Sequence, residues 1–403
     1  MLQKKEFLKA DTKDILLLCA ITLGVLFILW TFTGLWPWAY QPYNSYVLQA
    51  QSWLDGRLDL PQNYSHLEIA IYNNKYYISF PPFPSYLMLP LVLLGLDSFD
   101  GMWAVAFALA GVVYAYKIFR HLDIEGKRSM LYSLLLTIGS NWVLVAQSSW
   151  VWFIAQNIAF ALSLMAIYYA LNGKGCLSLT FWACAVGSRP FQALYLPVLL
   201  YLLYGAYKKD GMTFKEMLKR KWVTTIPMLI IAISYMALNY ARFGNPIEFG
   251  HNYLPEFAEA ELGQFNWAYI PQNLVNLFRL PGISFTKKWD YPIFNGMNIF
   301  MISPIFISYV ICIIYALKDK LPSRKVLLLA GITVVIQLLL ITAHKTMGGY
   351  QFGNRYTIDV LPLIFLCMAM ALPNNSSFDN ANKIFLMCGM TLNVIGSVLC
   401  YIG

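Results

Sequence analysis

Two kinds of ionisable side chain in this sequence are placed where they could do chemistry. Carboxylates stand in a loop that leads back into an apolar run, and arginines stand at the ends of other apolar runs. In the loop, Ile69 to Phe80 alternates around Asn73-Asn74. Asn tolerates positive φ, so the spacing predicts a tight hairpin that pairs Tyr72 with Lys75. That register sets Glu68 opposite Ser79, at the open end of the hairpin and beside Pro81-Pro82. Partial desolvation there raises a carboxyl pKa towards the range of a general base. Asp55 and Asp59, which flank Arg57, are rivals for the role. An ordinary solvated acid is the competing reading for each of the three.

The cations suit an anion. Arg189 sits in Gly187-Ser188-Arg189-Pro190 between two apolar runs. Arg355 closes Gly348-Gly349-Tyr350-Gln351-Phe352-Gly353-Asn354-Arg355, with Asp359 one helical turn on and His344 and Lys345 just before. Arg242 ends a further run. A guanidinium fork matches phosphate oxygens, and glycines around Tyr350 would let backbone N–H groups approach the same anion. A lipid phosphate held by Arg189, Arg355 and Tyr350 is therefore expected. The alternative is that Arg355 pairs with Asp359 while Arg189 snorkels. His251 and Lys288, the latter beside Lys287 and Trp289, are weaker candidates for contacts to a hydroxyl-rich ligand. Glu256, Glu259 and Glu261 read as a solvated acidic face. No spacing of His and carboxylates indicates a metal site, no cofactor is expected, and nothing supports a divalent metal.

These groups need elements to hold them, and composition says which. The chain has 403 residues, 59% hydrophobic and 12% charged, against about 25% charged in soluble domains. Its apolar surface has to face lipid. Crossing-length apolar runs recur at about 15–37, 102–120, 129–147, 153–172, 176–189, 190–207, 222–242, 298–317, 326–343, 356–372 and 384–402. The expected fold is all-α: a single membrane domain, residues 1–403, with about 11–12 transmembrane helices. Placing the N-terminus and the Lys/Arg-rich connections in the cytoplasm leaves 20 of 29 basic residues inside, and 9 basic with 11 acidic outside. This follows the positive-inside rule, so the net charge of +9 reflects orientation and no nucleic-acid partner is expected.

That topology leaves two long outer loops, 40–80 and 244–297. Tyr43 to Leu54 predicts an amphipathic surface helix ahead of the hairpin. Phe83 to Leu96 is apolar but short and is expected to be re-entrant or surface-lying, with a short crossing as the alternative. The seven cysteines form no C-x-x-C and fall in or at the ends of apolar runs, as small packing residues. The first apolar run exceeds 20 residues and lacks a small-residue cleavage site, so it reads as a retained helix.

In their order along the chain these pieces resemble the GT-C class of membrane glycosyltransferases, which includes protein O-mannosyltransferase-like and aminoarabinose-transferase-like enzymes. The resemblance rests on Trp53-Leu54-Asp55-Gly56-Arg57-Leu58, Tyr76-Tyr77, Pro81-Pro82-Phe83-Pro84 and Ser188-Arg189-Pro190. Further on it takes in Phe243-Gly244-Asn245-Pro246 and Gly353-Asn354-Arg355-Tyr356 before a helix containing Pro362. It implies a multi-pass enzyme of the cell membrane, acting on the outer face in cell-envelope glycan or glycoconjugate assembly. The donor would be a polyprenyl-phosphate-linked sugar and the acceptor a hydroxyl of a glycan or protein. It further implies a first-loop acid as base, carried here onto Glu68 with Asp55 second, and cations on the departing phosphate, carried onto Arg189 and Arg355. The family commonly has an Asp shortly after the first helix where this chain has Asn44. Asn44 is no useful base, so either the base has moved along the loop or catalysis is not of the familiar kind. A flippase for lipid-linked sugars, or a polyprenyl-diphosphate-dependent ligase or polymerase, is the competing class. Nearly uncharged midplanes and long outer loops favour the transferase.

Overall fold

The computed structural model describes residues 2–209, 211–283, 289–290, 296–319, 321 and 323–402. A long helix α1 (Leu2–Thr33) leads into the first long loop, which forms α2 (Ser45–Leu54) and a hairpin of β1 (Ile69–Tyr72) and β2 (Lys75–Ile78). Asn73 and Asn74 turn the hairpin at φ of 50° and 59°, and Tyr72 pairs with Lys75. Next come α3 (Phe83–Leu93), α4 (Gly101–His121), α5 (Gly126–Leu136), α6 (Trp142–Ala146), α7 (Val151–Leu171) and α8 (Gly175–Val186). The chain continues through α9 (Leu196–Lys208), α10 (Phe214–Lys221) and α11 (Ile226–Phe243). The second long loop carries α12 (Pro255–Ala258), α13 (Ile270–Phe278) and the two-residue strands β3 (Gly282–Ile283) and β4 (Trp289–Asp290). It is followed by α14 (Ile299–Ile302), α15 (Ile305–Lys318), α16 (Arg324–Thr342), α17 (Leu361–Ala371) and α18 (Ser376–Ile402).

This is an all-α, multi-pass membrane protein. Among the described residues, six helical stretches are long and apolar enough to cross a bilayer: Asp11–Thr33, Asp97–His121, Val151–Leu171, Phe214–Phe243, Arg324–Thr342 and Ser376–Ile402. All eleven apolar runs are helical, but several are interrupted. The run 129–147 splits into α5 and α6 around Gly139, and 298–317 splits into α14 and α15 at Ser303-Pro304. The runs 190–207 and 356–372 begin as 3-10 turns, Pro190–Tyr195 and Arg355–Val360. Backbone groups freed by such breaks need buried partners. Ser303 Oγ accepts from the Asn141 N–H at 3.0 Å, and Asn393 Nδ2 donates to the Ile302 carbonyl at 2.7 Å.

The helix α3 spans 11 residues, about 16 Å, roughly half of a bilayer's hydrocarbon core. It is too short to cross alone and packs on α2 through a 2.7 Å hydrogen bond from Ser85 Oγ to Gln49 Oε1. The centre of the bundle is α7, buried along nearly its whole length. Its amides reach sideways: Asn157 donates to the Ala104 carbonyl at 2.8 Å, and Gln156 to the Arg355 carbonyl at 2.7 Å.

Candidate active site

Where the first long loop, the start of α7, the α8–α9 junction, the second long loop and the segment before α17 meet, they enclose a cavity of about 620 Å³. Glu68, Arg189, His251, Tyr350 and Arg355 all line it, together with Trp150, Trp152, Glu256, His344 and Tyr356.

Glu68 immediately precedes β1. Burial raises its pKa above the ordinary carboxyl value. The Trp152 indole N–H and the Arg355 charge pull it back, while Glu256 adds to the rise.

Pro190 starts a helical turn and keeps the preceding residue extended; Arg189 has φ −141° and ψ 108°. Its Nη2 and Nε donate to Asp359 Oδ2 at 2.7 and 3.2 Å. Burial opposes the Arg189 charge, but Asp359 outweighs it and the pKa goes up. Asp359 is 1% exposed and also accepts from Gln156 at 2.9 Å. The alternative reading, a local pair between Arg355 and Asp359, is replaced by a pair across 170 residues of sequence. The break before α17 lets Asp359 face α8 and α7, not its own turn.

Arg355 is 5% exposed. Its Nη2 and Nε donate to the Gly348 carbonyl at 2.7 and 3.0 Å. Among the described residues no carboxylate lies at ion-pair distance from it. Burial depresses its pKa, and the neighbouring Arg189 charge adds to that. Both guanidinium carbons sit 4.8 Å from the centroid of the Tyr356 ring. Gly348 holds φ +111°, and a Cβ there would meet Gln351 at 2.7 Å. The expected approach of backbone N–H groups to an anion takes a different form: Gly348 turns its carbonyl to Arg355, and the Gly349 N–H donates to the Thr346 carbonyl at 3.0 Å. Tyr350 reaches the cavity edge with its hydroxyl donating to the Cys400 carbonyl at 2.9 Å.

His251 follows Gly250, whose φ of +103° and contact with the Phe243 ring leave no room for a Cβ. Its Nδ1 hydrogen-bonds the Ser79 carbonyl. A carbonyl only accepts, so Nδ1 carries the proton and Nε2 keeps its lone pair. Burial pushes the His251 pKa down to about 4 and that of His344 to about 3, so both rings are neutral at neutral pH.

Asp55 lies elsewhere, exposed at the C-terminal end of α2 and off the cavity wall. Asp59 pairs with Arg57 at 2.9 Å. Lys288 and Lys287 lie outside the described residues. Asn44 is off the cavity wall too. Its Oδ1 caps α2 through the Tyr46 N–H, and its Nδ2 donates to the buried Asp100. Three lining residues carry no clear sequence signal: Trp150, Trp152 and Glu256. Glu256 reads as part of a solvated run, yet it lines the cavity. Gln156, a polar residue inside an apolar run, was the available pointer to the Arg189–Asp359 pair. Among the described residues, no group of three or more His, Cys, Asp or Glu side chains is arranged to hold a metal.

Fold and site together define a polytopic membrane protein with a GT-C-like fold. Two solved structures carry the likeness, both of ArnT from Cupriavidus metallidurans. One is bound to undecaprenyl phosphate (TM-score 0.55, 16% identity, 93% of this chain and 63% of that one). The other is in the apo state (TM-score 0.54, 13% identity, 97% of this chain and 76% of that one). The chain thus spans less than two thirds of the lipid-bound ArnT chain. No protein-family model matches the sequence, and no curated protein matches it.

Proposed function

We propose that this protein is a membrane glycosyltransferase that moves a sugar from a polyprenyl-phosphate-linked donor to an acceptor hydroxyl, acting at the outer face with its N-terminus in the cytoplasm. The observation that carries the reading is a buried Arg355 that, among the described residues, has no carboxylate at ion-pair distance, stacked with Arg189 on one tyrosine ring, in the same cavity as a desolvated Glu68. Arg189 already has Asp359 as its ion pair, whereas the Arg355 guanidinium is held by carbonyls, so an anionic headgroup would supply Arg355 with its contact charge. Ile247 and Phe265 line the cavity and are 75% and 45% exposed, an apolar part of its rim that suits a lipid tail.

In this reading the acceptor oxygen attacks the anomeric carbon as its proton passes to the Glu68 carboxylate. The bond from that carbon to the phosphate oxygen breaks, and its electron pair stays on the phosphate. The added charge develops against Arg355 and Arg189, donors fixed before the reaction begins. His251, neutral with Nε2 available, suits a sugar hydroxyl. The same reading accounts for Asn44, since an acid there would face the buried Asp100.

The test is release of undecaprenyl phosphate by the purified protein in lipid nanodiscs, given undecaprenyl phosphate linked to glucose, mannose or N-acetylglucosamine. Release from one donor is expected. Tight binding of these lipids with transbilayer movement and no cleavage would replace the transferase by a flippase.

A further inference from the structure

Glu68 and Glu256 line a second cavity of about 300 Å³ on the other side of the hairpin base. Asn63, Ser65, Ile69 and Ile71 form one wall, and Leu254 and Pro255 face them. Among the described residues, no Lys, Arg or aromatic side chain lines it. The described lining offers a phosphate-bearing acceptor two carboxylates and no countercharge, and offers a sugar ring no aromatic face to stack on.

The hydrogen bonding of the hairpin shows what this wall presents. On the far side of β2, the Leu60 N–H donates to the Tyr76 carbonyl at 2.7 Å. Tyr76 pairs with Ile71, so this is a non-hydrogen-bonded pair of the ladder, and the N–H and C=O of Ile71 point away from β2. The period of two sends those of Ile69 the same way. Among the described residues, no other segment pairs with this edge of β1. A row of unpaired backbone groups is a template for strand addition, and here the row begins one residue after Glu68.

We propose that this free edge of β1 binds the acceptor, an extended polypeptide segment bearing Ser or Thr, through backbone pairing with Ile69 and Ile71. The inference rests on the transferase reading and names its acceptor. The hydroxyl of the residue beside the strand's start reaches Glu68, which with Glu256 lines both cavities. Its oxygen bonds to the anomeric carbon, its proton goes to Glu68, and the lipid phosphate leaves into the larger cavity. Backbone pairing makes recognition tolerant of sequence, with Leu254 and Pro255 covering the segment.

The experiment uses the full chain in nanodiscs and a fluorescein-labelled Ala-rich hexapeptide with one Thr, read by anisotropy without donor. Methylating alternate backbone nitrogens of the peptide is expected to weaken binding at least tenfold in one of the two registers. Ile71→Pro is expected to do the same, because it deletes an N–H that the hairpin ladder does not use, while Ile71→Val binds within twofold. Equal binding of both methylated peptides, or binding that maltotriose alone displaces, would overturn the inference. Donor cleavage is read separately, as release of undecaprenyl phosphate. Cleavage with transfer to maltotriose and none to peptide sinks the peptide acceptor and leaves the transferase standing. Peptide binding without any cleavage keeps the edge site and sinks the transfer.

Discussion

Arg189 and Arg355 stack on the same ring, yet the two residues differ in what their removal leaves behind. Arg189→Ala strands Asp359, which is 1% exposed, as a buried charge without its cation. Breaking such a pair costs about 3–5 kcal/mol, so denaturant unfolding of this variant is expected to show a large loss. Arg355→Ala strands only carbonyls, and its stability is expected to stay within about 1 kcal/mol of the parent while lipid-phosphate binding falls at least tenfold. A larger stability loss for Arg355→Ala than for Arg189→Ala would contradict the pairing described. Glu68 carries a different prediction. As a base it must be ionised, and burial raises its pKa, so activity is expected to fall as pH drops through a value above the ordinary carboxyl range. Glu68→Gln is expected to lower transfer by about 100-fold or more. The raised pKa also means that the folded state holds the proton more tightly, so above that value the ionised carboxylate costs stability that Gln does not. Thermal melts at pH 7 are therefore expected to find Glu68→Gln at least as stable as the parent. Activity at the parent level would remove Glu68 from the mechanism.

At the scale of elements, the site depends on interrupted helices held by close backbone approaches. Asn141, in the bend between α5 and α6, donates to the Phe352 carbonyl at 2.9 Å and accepts from the Asn354 N–H at 2.9 Å, which fixes the segment just before Arg355. The bend is pressed against α18 at Gly389, where a Cβ would lie 2.2 Å from the Gly139 carbonyl oxygen. Backbone cannot yield as a side-chain tip can, so Gly389→Ala is expected to destabilise the protein by about 1–3 kcal/mol. It is also expected to weaken lipid-phosphate binding, though Gly389 does not line the cavity; a melt and a binding titration of the one variant check both. The hairpin was legible in advance because Asn73-Asn74 and the alternation around it leave one register, and that register put Glu68 at the base. The breaks at Pro190, Pro304 and Pro362 are written in the sequence too, by a ring that removes an N–H. Which helix faces which is not. The Arg189–Asp359 pair depends on how α7, α8 and the turn before α17 pack, and periodicity along one chain holds no record of that.

For the whole molecule, the apolar composition made the membrane fold legible, and the order of short loop motifs made its GT-C-like class legible. The cavity itself was not, because Trp150 and Trp152 look like ordinary aromatic residues of a membrane protein until five distant segments converge. Convergence implies linkage: a ligand that binds only the folded cavity stabilises the entire bundle. Undecaprenyl phosphate at 100 times its Kd would add about 2.7 kcal/mol, seen as a rise in Tm that Arg355→Ala abolishes. An equal rise in that variant would indicate nonspecific lipid stabilisation. The most direct measurement is an experimental map of the protein with undecaprenyl phosphate bound. The account predicts the phosphate within hydrogen-bond distance of Arg355 and Arg189, in the cavity that Glu68 lines. A phosphate seated elsewhere, with Arg355 still turned only to the Gly348 and Trp152 carbonyls, would contradict it.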